Sequence, residues 1–155
     1  FQLGATIQRS LYDEARKWSG KDVEDDVKAI RNMMRTPDFY GYFVATWTPT
    51  KKFNTSLSGT YTGKMYVPHE SGVKDEFDNT KPNMTERSPS FFDINWKVAY
   101  NIPVYKIVNL ELSAGVQNIF NAYQKDFDKG PDRASSYIYG PSMPRSFFVG
   151  AKISL

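Results

Sequence analysis

The sequence predicts an all-β protein: an antiparallel, up-and-down sheet of about six strands. Three observations carry this. Six segments alternate apolar and polar residues with period two, the mark of a sheet whose faces meet unlike surroundings. The connections between them alternate long, short, long, short, long. Charge is concentrated in the long connections, and 27 of the 37 Asp, Glu, Lys and Arg side chains lie there.

The segments follow in chain order. In the first, residues 1–12, Phe1, Leu3, Ala5 and Ile7 oppose Gln2, Gly4, Thr6 and Gln8. In residues 38–48, Phe39, Phe43, Ala45 and Trp47 oppose Tyr40, Tyr42, Thr46 and Thr48. Residues 53–66 are rich in Thr, Ser and Gly; Phe53, Leu57, Tyr61 and Met65 share one parity, and Asn54, Ser56, Ser58, Thr60, Thr62 and Lys64 the other. In residues 91–100, Phe92, Ile94, Trp96, Val98 and Tyr100 oppose Asp93, Asn95, Lys97 and Ala99. Residues 107–118 set Leu110, Leu112, Ala114 and Val116 against Glu111, Ser113, Gly115 and Gln117. In residues 146–155, Phe147, Val149, Ala151, Ile153 and Leu155 oppose Ser146, Phe148, Gly150, Lys152 and Ser154.

The long connections, 13–37, 67–90 and 119–145, fall at one end of such a sheet, and the short turns, 49–52 and 101–106 with Pro103 as turn former, at the other. Loops this long are uncommon in compact domains, whereas transmembrane barrels keep short turns on one side and long loops on the other. Within the strands, Lys64, Asp93, Lys97, Glu111 and Lys152 all lie on the polar parity. Arg9 alone shares parity with an apolar face, near a strand end where a cation can snorkel. The pattern fits a membrane-barrel wall with its apolar face outward, and also a soluble sandwich or lipocalin-like barrel with that face inward; the loop arrangement favours the first. Tyr12, Tyr40, Trp47, Tyr66, Tyr100 and Tyr105 lie near expected strand ends, where interface girdles place amphipathic rings. In the first long loop, Val23, Val27, Ile30 and Met34 recur at helical spacing and predict a short amphipathic helix. Residues 119–123 suggest one helical turn.

Composition excludes several classes. The 155 residues contain no Cys, so disulfides and thiolate metal sites are out. No run reaches the ~18 apolar residues of a membrane helix. The net charge of +3 is spread, not clustered, which argues against a nucleic-acid partner. His69 is the single histidine, without a second ligand for zinc or a nucleophile for a triad. Asp126, Asp128 and Asp132 around Gly130 loosely resemble a calcium loop but lack the closing Glu. No catalytic or cofactor-binding constellation emerges, and the expectation is a protein that is not an enzyme.

Residues 112–124 read Leu-Ser-Ala-Gly-Val-Gln-Asn-Ile-Phe-Asn-Ala-Tyr-Gln, and residues 140–155 read Gly-Pro-Ser-Met-Pro-Arg-Ser-Phe-Phe-Val-Gly-Ala-Lys-Ile-Ser-Leu. The first resembles the penultimate-strand motif of TonB-dependent outer-membrane receptors, carried by Asn118, Ile119, Phe120, Asn121 and Tyr123. The second resembles their terminal strand, entered through Pro144 and Arg145. Residues 35–42 and 58–63 are similar to barrel segments of Bacteroidota-type members. The chain departs from the family in ending on Leu155 rather than an aromatic residue. The resemblance implies the C-terminal segment of a large barrel, without the plug and the energy-coupling box. It further implies an outer-membrane location and a role in TonB-driven uptake of a scarce nutrient such as a ferric-siderophore, haem or cobalamin complex. Partners would be outer-membrane lipid, the remaining barrel and plug, and the TonB system. Lys64, Asp93, Lys97, Glu111, Gln117 and Lys152 would face the lumen. A glycan-importing receptor of the same superfamily and a soluble lipocalin-like binding module are the alternatives. Six strands cannot close a barrel, so their open edges would favour self-association.

Overall fold

The computed structural model describes residues 1–19, 27–70, 83–105, 107–131 and 133–154. It is all-β, with no helix among these residues. The described residues form ten strands in three antiparallel sheets: β1 (Gln2–Ile7), β2 (Leu11–Arg16), β3 (Ile30–Asn32), β4 (Phe39–Trp47), β5 (Phe53–Thr62), β6 (Tyr66–His69), β7 (Met84–Arg87), β8 (Phe91–Tyr105), β9 (Val108–Gln117) and β10 (Ser146–Ser154). The main sheet has the order β1-β4-β5-β8-β9-β10, and β2-β3 and β6-β7 form two small ribbons.

The main sheet is a meander in which each strand pairs with the next long segment of the chain, as short turns require. Its register brings the separate alternations into line. Leu57 opposes Ala45 and Trp96, and Trp96 opposes Val116. Val116 opposes Phe147, which completes an apolar row across five strands. One residue along, Ser56 opposes Thr46 and Lys97, and Lys97 opposes Gly115. The sheet therefore has one apolar and one polar face. Among the described residues nothing covers the apolar one: Leu3, Trp47, Trp96, Leu112, Phe147 and Val149 are all exposed.

Aromatic rings border that face at both ends. Toward the long connections Phe39, Tyr61, Phe92 and Phe120 follow one another at centroid spacings of 5.5, 6.4 and 6.3 Å, and Phe43 lies 6.5 Å from Phe92. Toward the short turns stand Trp47, Phe53 and Tyr100. Few polar groups interrupt the face, and two of them satisfy each other: Trp96 Nε1 donates to Thr55 Oγ1 at 2.9 Å, whose hydroxyl donates to Lys97 O at 3.0 Å.

Several expectations need correction. The segment 1–12 is two strands: β1 ends at Ile7, and Leu11 onward pairs with β3 instead. No part of the expected helix appears among the described residues 27–34. Ile30 lies in β3, opposite Arg16, and Arg31 Nε donates to Tyr12 O at 3.2 Å; Val23 lies outside the described residues. A spacing of three or four apolar positions over so short a stretch does not separate helix from strand, and the β2 edge offers backbone pairing. Residues 119–123 form a turn closed by Asn121 N–H to Asn118 O at 2.8 Å, not a helical turn. Pro103 does not make the short turn. It sits within β8 opposite Asn109, next to a register shift between Pro103 and Tyr105, a place where a residue without an N–H is tolerated. Lys64 is not on the sheet; it is exposed in the link between β5 and β6. Of the expected girdle residues, Tyr40 lies on the polar face opposite Thr62, and Tyr12 and Tyr66 belong to the small ribbons.

The core lies at the long-connection end rather than against the apolar face. Val67, Phe91, Tyr137 and Gln124 are buried where the β6–β7 ribbon and the 119–145 segment meet, Val27 is buried just before β3, and Ala99 is buried on the polar face of β8. At Gly115 the strands pack too closely for a side chain, since a Cβ would sit 2.5 Å from both Trp96 O and the Phe148 ring. Gly115→Val is expected to cost about 1–3 kcal/mol through overpacking, despite valine's higher strand propensity. A lowered thermal unfolding midpoint checks this.

Candidate functional site

Two polar constructions occupy the ends of the strands. The first is a cleft of about 390 Å³ on the polar face, lined by Asp93, Asn95, Gln117 and Asn118 from the sheet and by Pro141, Ser142, Met143, Pro144 and Ser146 from the approach to β10. Strand alternation puts Asp93, Asn95 and Gln117 on one face, and the returning chain forms the opposite wall. Asp93 Oδ1 is buried there without a hydrogen-bond partner. Ser146 Oγ donates to Gln117 Oε1 at 3.1 Å. Further along the same face, Lys97 Nζ lies 3.9 Å from Glu111 Oε1, and Lys152 opposes Glu111 on β10. Five of the six residues expected on a lumen surface thus share one face, and Lys64 does not.

Asn118 builds this cleft. It is buried, with a positive φ of 51° that asparagine tolerates better than most residues. Its backbone N–H donates to Asn95 Oδ1 at 3.0 Å. Its side-chain Nδ2 donates to Ala122 O at 3.2 Å and Met143 O at 3.0 Å, and its Oδ1 accepts from Ala122 N–H at 2.8 Å. Asn121, at φ 54°, accepts the Arg145 N–H on Oδ1 at 2.9 Å. The two asparagines therefore staple the chain leaving β9 to the chain entering β10. Phe120, between them, projects onto the aromatic row of the apolar face. Tyr123 packs under Lys125, its ring centroid 5.7 Å from Nζ.

The second construction joins the three long connections. His69, at the end of β6, places Nδ1 2.7 Å from Glu86 Oε1 on β7 and Nε2 2.8 Å from Asp128 Oδ2. Its ring stacks on Tyr137 at 3.8 Å with the planes 7° apart. The Tyr137 hydroxyl donates to Glu86 Oε2 at 2.6 Å and lies 3.1 Å from Asp126 Oδ2. Tyr139 also donates to Asp126. Gln124, almost wholly buried, bonds Tyr137 O and Tyr139 N–H through its amide, and its own N–H donates to Pro141 O. From the first connection Arg35, at φ 56°, donates its N–H to Tyr66 O, Nη1 to Ile138 O at 3.1 Å and Nη2 to Ser136 O at 2.5 Å. Trp18 Nε1 donates to Thr85 Oγ1.

Burial works against a charged His69, but the hydrogen bonds to Glu86 and Asp128 and the field of both carboxylates outweigh it, so its pKa sits above the ordinary value. Burial first, and then the bonds to Glu86 and Asp126, push the Tyr137 phenol well above its usual range; burial and Asp126 do the same to Tyr139. The isolated histidine of the sequence is therefore held by two carboxylates that no local spacing announces. Asp126 and Asp128 are spent on Tyr and His partners rather than on a cation loop, and Asp132 lies outside the described residues. Among the described residues no three His, Asp or Glu side chains form a metal-binding group. Compared with protein-family models, curated proteins and solved structures, the chain matches none.

Asn118→Ala is expected to lower stability by about 2–4 kcal/mol, from buried polar groups left unpaired and from a strained backbone. Asn118→Gly, which relieves only the backbone, is expected to lose less. Chemical denaturation of the three proteins compares them.

Proposed function

We propose that this chain is a wall segment of an outer-membrane active transporter of the TonB-dependent type, which takes up a scarce nutrient such as a ferric-siderophore, haem or cobalamin complex. The observation that carries the reading is the aligned apolar face, free of charge along the paired strands and uncovered by any other described residue. A face of that kind in water would be an association hazard; against lipid it is the required surface.

The dimensions support the same reading. β4, β5, β9 and β10 are 9, 10, 10 and 9 residues long, the length of a tilted membrane strand. Phe92 and Tyr100, in the two aromatic borders, are separated along β8 by ~27 Å at ~3.4 Å per residue. Tilted by 35–45°, that is roughly 20 Å of height, near the ~25 Å apolar band of outer-membrane barrels. The long connections gather at one end, as extracellular loops do, and the polar face with Asp93, Lys97, Glu111, Gln117 and Lys152 would line the lumen. The two outer strands, β1 and β10, each have one unpaired edge in this sheet, where further barrel strands would add. Asn118 and Asn121 tie together residues 112–124 and 140–155, the two segments that resemble the last two strands of such receptors.

A single-charge scan of the two faces tests the membrane part. Leu57→Arg, at mid-height on the apolar face, is expected to cost ~2–4 kcal/mol and to deplete the protein from outer-membrane fractions, while Ser56→Arg, one residue away on the polar face, leaves assembly intact. Equal assembly of both variants would overturn the reading. The transport part is checked by nutrient-dependent growth with and without a functional TonB system.

A further inference from the structure

We propose that His69 is a proton-dependent latch: as an imidazolium it clamps the 124–139 segment onto the β6–β7 ribbon, and loss of its proton loosens that clamp. The inference stands on the geometry of the long connections and does not depend on the transporter reading.

Proton counting is the first support. Both ring nitrogens of His69 lie at hydrogen-bond distance from carboxylate oxygens. An ionised carboxylate only accepts, and a neutral imidazole has a single N–H to give. Asp128 Oδ2, which faces Nε2, also accepts the Ala134 N–H at 3.2 Å. An ionised carboxylate oxygen that already takes the Ala134 N–H can only accept from the ring as well, so the Nε2 contact calls for a ring proton. The second contact, Nδ1 to Glu86 Oε1, needs one more proton, which the ring supplies only as an imidazolium. When it leaves, a ring lone pair faces a carboxylate oxygen at 2.7 Å.

Charge balance across the junction is the second. The ribbon contributes His69 and Glu86, and the 124–139 segment contributes Asp126, Asp128, Tyr137 and Tyr139. Without the imidazolium, Glu86 on one side faces Asp126 and Asp128 on the other. Arg35 holds the same segment through the carbonyls of Ser136 and Ile138, contacts that do not change with pH. These keep a hinge in place while the latch opens. The ring stacks flat on Tyr137, and that tyrosine bonds Glu86 and Asp126, so the protonation state reaches both sides of the junction through one pair of rings.

The sign follows. The clamped His69 holds its proton more tightly than a free imidazole, so clamping is at full strength below about 6.5 and is lost as pH rises through the clamped pKa. Between these limits the clamping constant falls by up to about tenfold per pH unit.

Amide hydrogen exchange of the full chain in detergent micelles, from pH 5.5 to 9 and corrected for intrinsic rates, tests this. Protection of residues 126–138 is expected to fall along that slope, while residues 110–117 of β9 stay unchanged. His69→Gln is expected to remove the slope and leave the segment weakly protected throughout. Because glutamine removes the cation and could unfold the junction outright, His69→Lys supplies a second reading: it keeps a positive charge and is expected to give protection that is flat with pH. A wild-type segment whose protection does not depend on pH, or a slope that survives in either variant, overturns the proposal.

Discussion

Slide β9 by one residue against β8 and Glu111 and Gln117 would stand among Trp96, Val98 and Tyr100. The same slip would turn Leu110, Leu112, Ala114 and Val116 toward Asp93 and Lys97. The period of a strand is two, so any such shift exchanges its faces completely. The pairing of the six strands is therefore the constraint on which everything else rests. It keeps one surface apolar from Leu3 to Ile153 and gathers the charged side chains of the six strands on the other. Close approach at Gly115 contributes to fixing it, because no side chain fits between Trp96 O and the Phe148 ring.

That constraint explains where the buried residues are. A sheet that keeps its apolar face free cannot use it to build a core. Most of the buried side chains among the described residues collect instead at one end, where β2–β3, β6–β7 and the 119–145 segment interlock. Polar contacts do much of the joining: Arg35 bridges the first and third connections, Trp18 the first and second, and the His69–Tyr137 stack the second and third. The end of the sheet is thus capped by an assembly whose parts are far apart in the chain and held in part by titratable groups. Its stability is linked to pH in a way that the strands' ladder hydrogen bonds are not.

The cleft at Asp93 and the stapled turn at Asn118 are the points where the two systems meet. Asn118 ends β9 in a left-handed conformation and takes up its neighbours' polar groups through one amide. The chain can then leave the sheet, make the long excursion through Gln124 and Tyr137, and return in register at Ser146. The Asn-Ile-Phe-Asn sequence has a mechanical reading in these terms: two asparagines fix the backbone, and the phenylalanine between them belongs to the apolar face.

What the amino-acid sequence determined by itself is the set of strand faces and the antiparallel meander. Alternation is a local property, and short turns leave adjacent segments little choice but to pair. The ribbons were not legible in it. β2 and β3 hide inside a charged stretch, and the apolar spacing of Ile30 and Met34 fits a helix as well as a strand until the β2 edge is present. Pro103 reads as a turn former unless the neighbouring register shift is known. The site was legible only in part: Asp93, Gln117 and the Asn118–Arg145 motif stand out along the chain, but the partners of His69 lie 17 and 59 residues away, and Arg35 reaches across 103 residues to Ile138. Only the tertiary structure decides such contacts, because they depend on which loop ends the finished sheet brings together and not on any spacing within one segment.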